Sequence, residues 1–308
     1  MKSSGNIPAS VRQRLLNRAR SDRRPFNELL QYYAMERFLY RLSKSSHVER
    51  FILKGALMLR VWRSPELRST MDIDMLGRTS NDESDIIEQI RDIMAVNVEH
   101  DGVDFDSDSI LTERISEAAG YEGIRIRFLA SLGSARINIQ IDIGFGDVVY
   151  PGPEKFDLPT MLNYPAPRLL CYSRESSIAE KLEAIVKLGM MNSRMKDFYD
   201  IWLLSRYFNF DGITLAEAIR QTFERRGTAL PGEIEAFTEP FINAKEVQWA
   251  AFRKRLNNQS VLVSFSEIVT VVEGFLSPIT AGVSSARPGP THWTAPGPWA
   301  ERGDRDDL

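Results

Sequence analysis

Asp72 and Asp74 stand two residues apart in the stretch Arg68-Ser-Thr-Met-Asp-Ile-Asp-Met-Leu76. In a strand, whose side chains alternate, both carboxylates fall on one face while Met71, Ile73 and Met75 take the other, apolar one. A second stretch, Arg136-Ile-Asn-Ile-Gln-Ile-Asp-Ile143, alternates in the same way and turns Asn138, Gln140 and Asp142 away from its isoleucines. If the two strands are neighbours, three carboxylates converge. Like charges at that separation repel by several kcal/mol at an effective dielectric of about 20, so a proton or a divalent cation must resolve the cluster. Hard oxygen donors with no nearby histidine suit Mg²⁺ or Mn²⁺, and two such ions roughly 4 Å apart can hold the attacking and leaving oxygens of a phosphoryl transfer. The competing reading is the solvated face of an edge strand, which short acidic alternation also produces.

The segments around these acids are those that could position them. Phe51-Ile-Leu-Lys-Gly-Ala-Leu-Met-Leu-Arg60 reads as a short apolar strand, a tight turn at Gly55-Ala56 and a helix start, whose free backbone N–H groups can cradle triphosphate oxygens. Further on, the spacing predicts a helix near 176–190 with Ile178, Leu182, Ile185 and Leu188 buried and Glu180, Glu183 and Lys187 on a wet face. Lys181 breaks that pattern, so its ammonium either snorkels out or faces negative charge in a cleft. Asp197 lies on the apolar stripe with Ile201, Leu204 and Phe208, where an unpaired carboxylate is costly. Arg194, Lys196 or Lys181 could pair with it structurally; alternatively it positions Lys181 or acts as a general base on an acceptor hydroxyl. Asp200 competes for either role.

The order of strand, small-residue turn, helix, Asp-x-Asp strand and later lone Asp resembles the nucleotidyltransferase superfamily typified by DNA polymerase beta. Glu175-Ser-Ser-Ile-Ala-Glu-Lys-Leu-Glu-Ala184 and Arg194-Met-Lys-Asp-Phe-Tyr-Asp-Ile201 look like the third and fourth motifs of the AbiEii/AbiGii family of nucleotidyltransferase toxins, which includes the mycobacterial MenT toxins. Gly55 with Arg68-Ser-Thr-Met-Asp-Ile-Asp74 matches the first motif, and Ile141-Asp-Ile-Gly-Phe-Gly-Asp147 the second. The four motifs occur in order over roughly half of the chain. One departure is Ala56, where the family has glycine or serine, so a serine hydroxyl contact to phosphate is absent.

The resemblance implies an α+β protein: a nucleotidyltransferase-fold mixed sheet with flanking helices, plus a mostly helical C-terminal domain. It implies Mg²⁺ or Mn²⁺ held by Asp72, Asp74 and Asp142, and a nucleoside triphosphate met by Gly55, Ala56, Arg68 and Lys181. Asp197 would orient or deprotonate the acceptor. It further implies a toxin of a type IV-like toxin–antitoxin or phage-defence pair, with a cognate antitoxin, that transfers nucleotides to RNA at the 3′ end of tRNA. A small-molecule nucleotidyltransferase of the aminoglycoside type, and a catalytically silent nucleotide-binding relative, are the alternatives.

Composition is compatible with this. At 308 residues and 43% hydrophobic content, the chain can bury one large or two modest cores. The single cysteine, Cys171, rules out an intramolecular disulfide. With no start resembling a signal peptide and no run of about 18 or more apolar residues, the expectation is a cytoplasmic protein without a membrane partner. His47, His100 and His292 lie far apart, form no zinc or triad spacing, and read as surface or loop residues. The net charge of −3 hides an asymmetry. Arg12, Arg14, Arg18, Arg20, Arg23 and Arg24 face only Asp22, an arrangement fit for RNA phosphates, for a solvated helix face or for antitoxin docking. The acidic residues from 82 to 108 read as a solvated helix and loop.

Punctuation sets the organisation. Residues 1–50 read as two helices bracing the catalytic domain, 51–165 as the nucleotidyltransferase domain with strands near 51–54, 70–76, 110–117, 121–131 and 135–144, and a helix near 84–97. Residues 166–276 read as a helical domain carrying the later motifs, after a short strand at 168–172, with helices at 174–190, 194–207, 214–226, 244–256 and 264–276. Residues 277–308, rich in proline, glycine and serine, read as a disordered tail in which Trp293 and Trp299 are unusual.

Overall fold

The alternating isoleucines of 137–143 are all buried, and they lie on a long interior strand of a sheet. The computed structural model describes residues 6–65, 68–116, 122–256, 261–285 and 289–300. The chain divides into two compact units, Met1–Gly146 with Glu154–Cys171, and Asp147–Pro153 with Tyr172–Leu308.

In the first unit, α1 (Ile7–Ser21) and α2 (Phe26–Lys44) lead into β1 (Phe51–Lys54), a 3-10 turn at Gly55–Leu57, the single turn α3 (Met58–Val61) and β2 (Ile73–Gly77). After α4 (Glu83–Met94) come β3 (Val103–Ser116), β4 (Glu122–Leu132), β5 (Ala135–Phe145), β6 (Glu154–Asp157) and β7 (Arg168–Cys171). They form one mixed seven-stranded sheet in the order β3-β4-β5-β2-β1-β7-β6. β2 is parallel to β5 and antiparallel to β1, which is parallel to β7. Fully buried Phe38 from α2 meets Phe128 and Phe105 of the sheet at centroid distances of 5.4 and 5.8 Å. Burying such a ring contributes on the order of 2 kcal/mol. α2 also buries the ion pair Glu36–Arg37 (2.7 Å), with Glu36 accepting from the Met161 N–H at 2.7 Å and Arg37 donating to the Pro165 carbonyl at 3.0 Å.

The second unit holds α5 (Arg174–Leu188), α6 (Met195–Tyr207), β8 (Phe210–Asp211), α7 (Gly212–Arg226), α8 (Glu239–Leu256), α9 (Phe265–Ser285), β9 (His292–Trp293) and β10 (Trp299–Ala300). α6, α7 and α8 all pack on α9. The last two strands join β8 in a small antiparallel sheet.

Several expectations need correction. Residues 147–153 belong to the second unit, where Ser173 and Ser176 donate to the Tyr150 carbonyl at 2.6 and 3.1 Å. β3 begins seven residues before the strand expected at 110, and β6, exposed along its whole length, carries no alternation that would mark it. The acidic stretch is not wholly solvated: Asp101 is buried and held by Arg41 at 2.7 and 3.3 Å. His47 is likewise buried, with Nε2 2.9 Å from an Asp92 carboxylate oxygen. The tail beyond 276 is not a spacer where it is described. α9 runs through Pro278 to Ser285 because burial of Phe275, Leu276 and Ile279 outweighs the lost proline N–H. Trp293 is 4% exposed and donates to the Ser205 carbonyl at 2.7 Å; Trp299 stacks on Phe275 at 5.5 Å. By length and mean hydropathy α9 could also cross a membrane; its buried face, from Phe265 to Thr280, lies in the core of the second unit.

Candidate active site

Strand register brings the first carboxylates together. β2 lies between β1 and β5, so Asp74 pairs in register with Lys54 on one side and Asp142 on the other. Asp72 precedes the strand by one residue and points to the same side. One oxygen from each of Asp72, Asp74 and Asp142 falls within 4.8 Å of the others, and all three residues are half-buried. The Thr70 hydroxyl donates to Asp72 Oδ1 at 2.5 Å. Asp142 takes two hydrogen bonds from the Arg125 guanidinium, at 2.8 Å from Nε and 2.7 Å from Nη2. The hydrogen bond to Asp142, with the Asp142 and Asp72 charges adding to it, raises the Arg125 guanidinium above its ordinary value.

The donor set fits a hard divalent cation: three carboxylates, no sulfur or imidazole, and a separation that one or two ions can bridge. Arg125 does not close the site, because a carboxylate offers about four acceptor positions and the guanidinium uses two. Gly55 adds space: it sits at φ +72°, and a Cβ there would overlap the Asp74 carboxylate. The helix expected after this turn is only the 3-10 turn and α3. Ala56 is buried within it. Arg68 is half-buried in the irregular segment ahead of Asp72, and its neighbours Glu66 and Leu67 lie outside the described residues.

The remaining expected residues meet in the second unit. Lys181 Nζ lies 2.8 Å from Asp200 and 3.6 Å from Asp197, which are 2% and 0% exposed, so its ammonium faces negative charge. Arg194 reaches Asp197 at 2.6 Å. Lys181 and Arg194 therefore share Asp197, and Asp200 is the closer partner of the lysine.

Sequence reasoning missed a second charged group in this unit. Glu183, expected on a wet face, is completely buried and bound by Arg226 at 2.9 Å, with the Thr228 hydroxyl as a further donor. Arg226 also lies 2.9 Å from Asp147 and 3.4 Å from Glu180, which accepts from the Tyr172 hydroxyl at 2.7 Å. Burial alone would lower the Arg226 guanidinium, but Glu180, Asp147 and Glu183 together raise it. The pattern of α5 alone cannot reveal this, because the cation comes from the end of α7.

Of the basic residues near the N-terminus, Arg12 lies over Phe26 at 5.4 Å and Arg14 over Tyr164 at 5.7 Å, while Arg18 pairs with Asp22 and Arg24 with Glu28. Arg12, Arg18, Arg20 and Arg23 are exposed.

The family profile described as Nucleotidyl transferase AbiEii toxin, Type IV TA system, matches residues 37–271. No curated protein matches the chain. Two solved structures are similar at 12% identity and a TM-score of 0.49. They are a candidate nucleotidyltransferase from H. pylori, covering 84% of this chain and 97% of its own, and JHP933 from Helicobacter pylori, covering 84% and 94%.

Proposed function

The chain belongs to the AbiEii family of nucleotidyl transferase toxins of type IV toxin–antitoxin systems, and from that premise we propose a Mg²⁺-dependent, cytoplasmic enzyme that transfers nucleotides from a nucleoside triphosphate to the 3′ end of tRNA. The observation that carries the metal-dependent reading is the convergence of Asp72, Asp74 and Asp142 within 4.8 Å on adjacent strands. A cognate antitoxin is its protein partner.

In this reading an acceptor hydroxyl oxygen bonds to the α-phosphorus of the nucleotide, the bond to pyrophosphate breaks, and the hydroxyl proton passes to a base. A divalent cation, when bound, supplies charge neutralisation on the reacting phosphate. Asp72, Asp74 and Asp142 hold it. Gly55 keeps the Asp74 carboxylate against the backbone, where no side chain intrudes. Arg68 and Lys181 offset triphosphate charge, and positioning of this kind is the main source of rate in phosphoryl transfer. Asp200 and Asp197 lie 2.8 and 3.6 Å from the Lys181 ammonium, and in this reading Asp197 is the base that receives the acceptor proton. Exposed Arg12, Arg18, Arg20 and Arg23 are suited to offset RNA phosphates.

The test is incubation with Mg²⁺, total tRNA and each labelled nucleoside triphosphate in turn over a range of salt. Label on tRNA that declines as salt rises supports the reading. Label that appears only on a small-molecule acceptor such as an aminoglycoside, without salt dependence, overturns it.

A further inference from the structure

The pairing of β2 with β5 begins at Ile73 opposite Ile141, so Asp72 stands just outside the ladder that fixes Asp74 and Asp142. A side chain from another element reaches the backbone just before it. Gln31, in the second turn of α2 and 8% exposed, donates through its amide nitrogen to the Met71 carbonyl at 3.1 Å and to the Asn138 carbonyl at 2.6 Å. One amide thus spans the gap between the residue before Asp72 and the strand that carries Asp142. Both acceptors are backbone carbonyls, so the clamp acts on chain position whatever side chains stand at Met71 and Asn138. The position lies outside residues 37–271, over which the family profile matches.

We propose that Gln31 is a positioning residue for the metal site, fixing Asp72 against β5 where hydrogen bonding between the strands has ended. Met71 is 51% exposed, so its side chain is not part of the core. The Thr70 hydroxyl orients the Asp72 carboxylate, but it belongs to the same unpaired segment and moves with it. Gln31 ties the Met71 backbone directly to the Asn138 backbone of β5, and the Ser69 hydroxyl, which donates to Glu28, joins the same segment to the same helix. Residues that orient metal ligands typically change metal affinity by about 10- to 100-fold when replaced.

The inference rests on the proposed metal-dependent function, and the experiment separates the two. Mn²⁺ binding is titrated by electron paramagnetic resonance on the full chain, for the wild type, Gln31→Met, Gln31→Leu and Asp72→Ala, with thermal melts of each. The expected result is a loss of Mn²⁺ affinity of roughly tenfold in whichever Gln31 variant melts close to the wild type, with Gln31→Met in the Asp72→Ala background adding no further loss. Wild-type affinity in a folded Gln31 variant, with Asp72→Ala impaired, overturns the positioning role and leaves the metal site standing. A folded wild type that binds no Mn²⁺ overturns the metal reading itself, and the inference with it.

Discussion

Gly55 and Asp74 occupy one volume that a side chain at position 55 would contest. The glycine closes β1 at φ +72°, and a Cβ on it would coincide with the Asp74 carboxylate. Gly55→Ala must therefore adopt a strained left-handed backbone and also push a metal-ligating carboxylate aside. The strain is expected to cost about 1–3 kcal/mol of stability, and the displaced ligand to lower nucleotide incorporation on the order of 100-fold. Melts and incorporation assays on the same preparation check both effects. Activity close to wild type in Gly55→Ala would show that the carboxylate can move without consequence.

Lys181 stands between two buried carboxylates, and its removal is predicted to destabilise the second unit. Lys181→Met takes away the cation 2.8 Å from Asp200 and leaves Arg194 on Asp197. Breaking a buried pair from one side costs about 3–5 kcal/mol, and the 15% exposure of the Lys181 side chain argues for the lower end. Asp200→Asn leaves Lys181 beside Asp197 and is expected to cost less. Denaturant unfolding of both variants orders the two effects.

Glu36 gives a pH signature. Burial pushes its carboxyl up to about 6 from an ordinary value of 4.5, against the opposing pull of Arg37. The folded state then binds more protons than the unfolded chain between pH 4.5 and 6, so stability contributed by protonated Glu36 is fully present below pH 4.5 and is lost as pH rises through 6. The change is about 2 kcal/mol. Unfolding free energy measured across that window is expected to fall with pH in the wild type and to lose this component in Glu36→Gln.

Much of this architecture was legible from local pattern, and the parts that were not share a cause. Period-two alternation located Asp72, Asp74 and Asp142, because one buried face is enough to fix a strand. The turn at Gly55 was legible from the residue type, but its steric relation to Asp74 depends on pairing between β1 and β2. Arg125, Gln31 and Arg226 left no local sign. Each acts on a residue from another element, across 17 positions for Arg125 and Asp142 and 107 for Gln31 and Asn138. Glu183 departs from its expected wet face for the same reason: a buried acid looks solvated until its cation, 43 positions away, is in view. Where it is described, the segment after Pro278 is ordered despite its proline and glycine content, because two tryptophans anchor it.

Those anchors carry a prediction. Trp293 packs against Phe275 at 4.8 Å, and its indole N–H reaches the Ser205 carbonyl at the end of α6. Trp293→Ala is expected to destabilise the second unit by about 3–5 kcal/mol, and truncation after Ser285, which also removes Trp299, by at least as much. A truncated chain that melts with the full-length protein would contradict the packing role.

The central claim, that three carboxylates on β2 and β5 and just before β2 form a metal-dependent transfer site, is tested most directly by nucleotide incorporation into total tRNA. The assay compares the wild type, Asp72→Ala, Asp74→Ala and Asp142→Ala, each with Mg²⁺ and with excess chelator. The account predicts label on tRNA for the wild type with Mg²⁺, none with chelator, and loss of label in all three folded variants. Label that persists in the variants or in chelator, or a folded wild type that labels no acceptor with any of the four nucleotides, would contradict it.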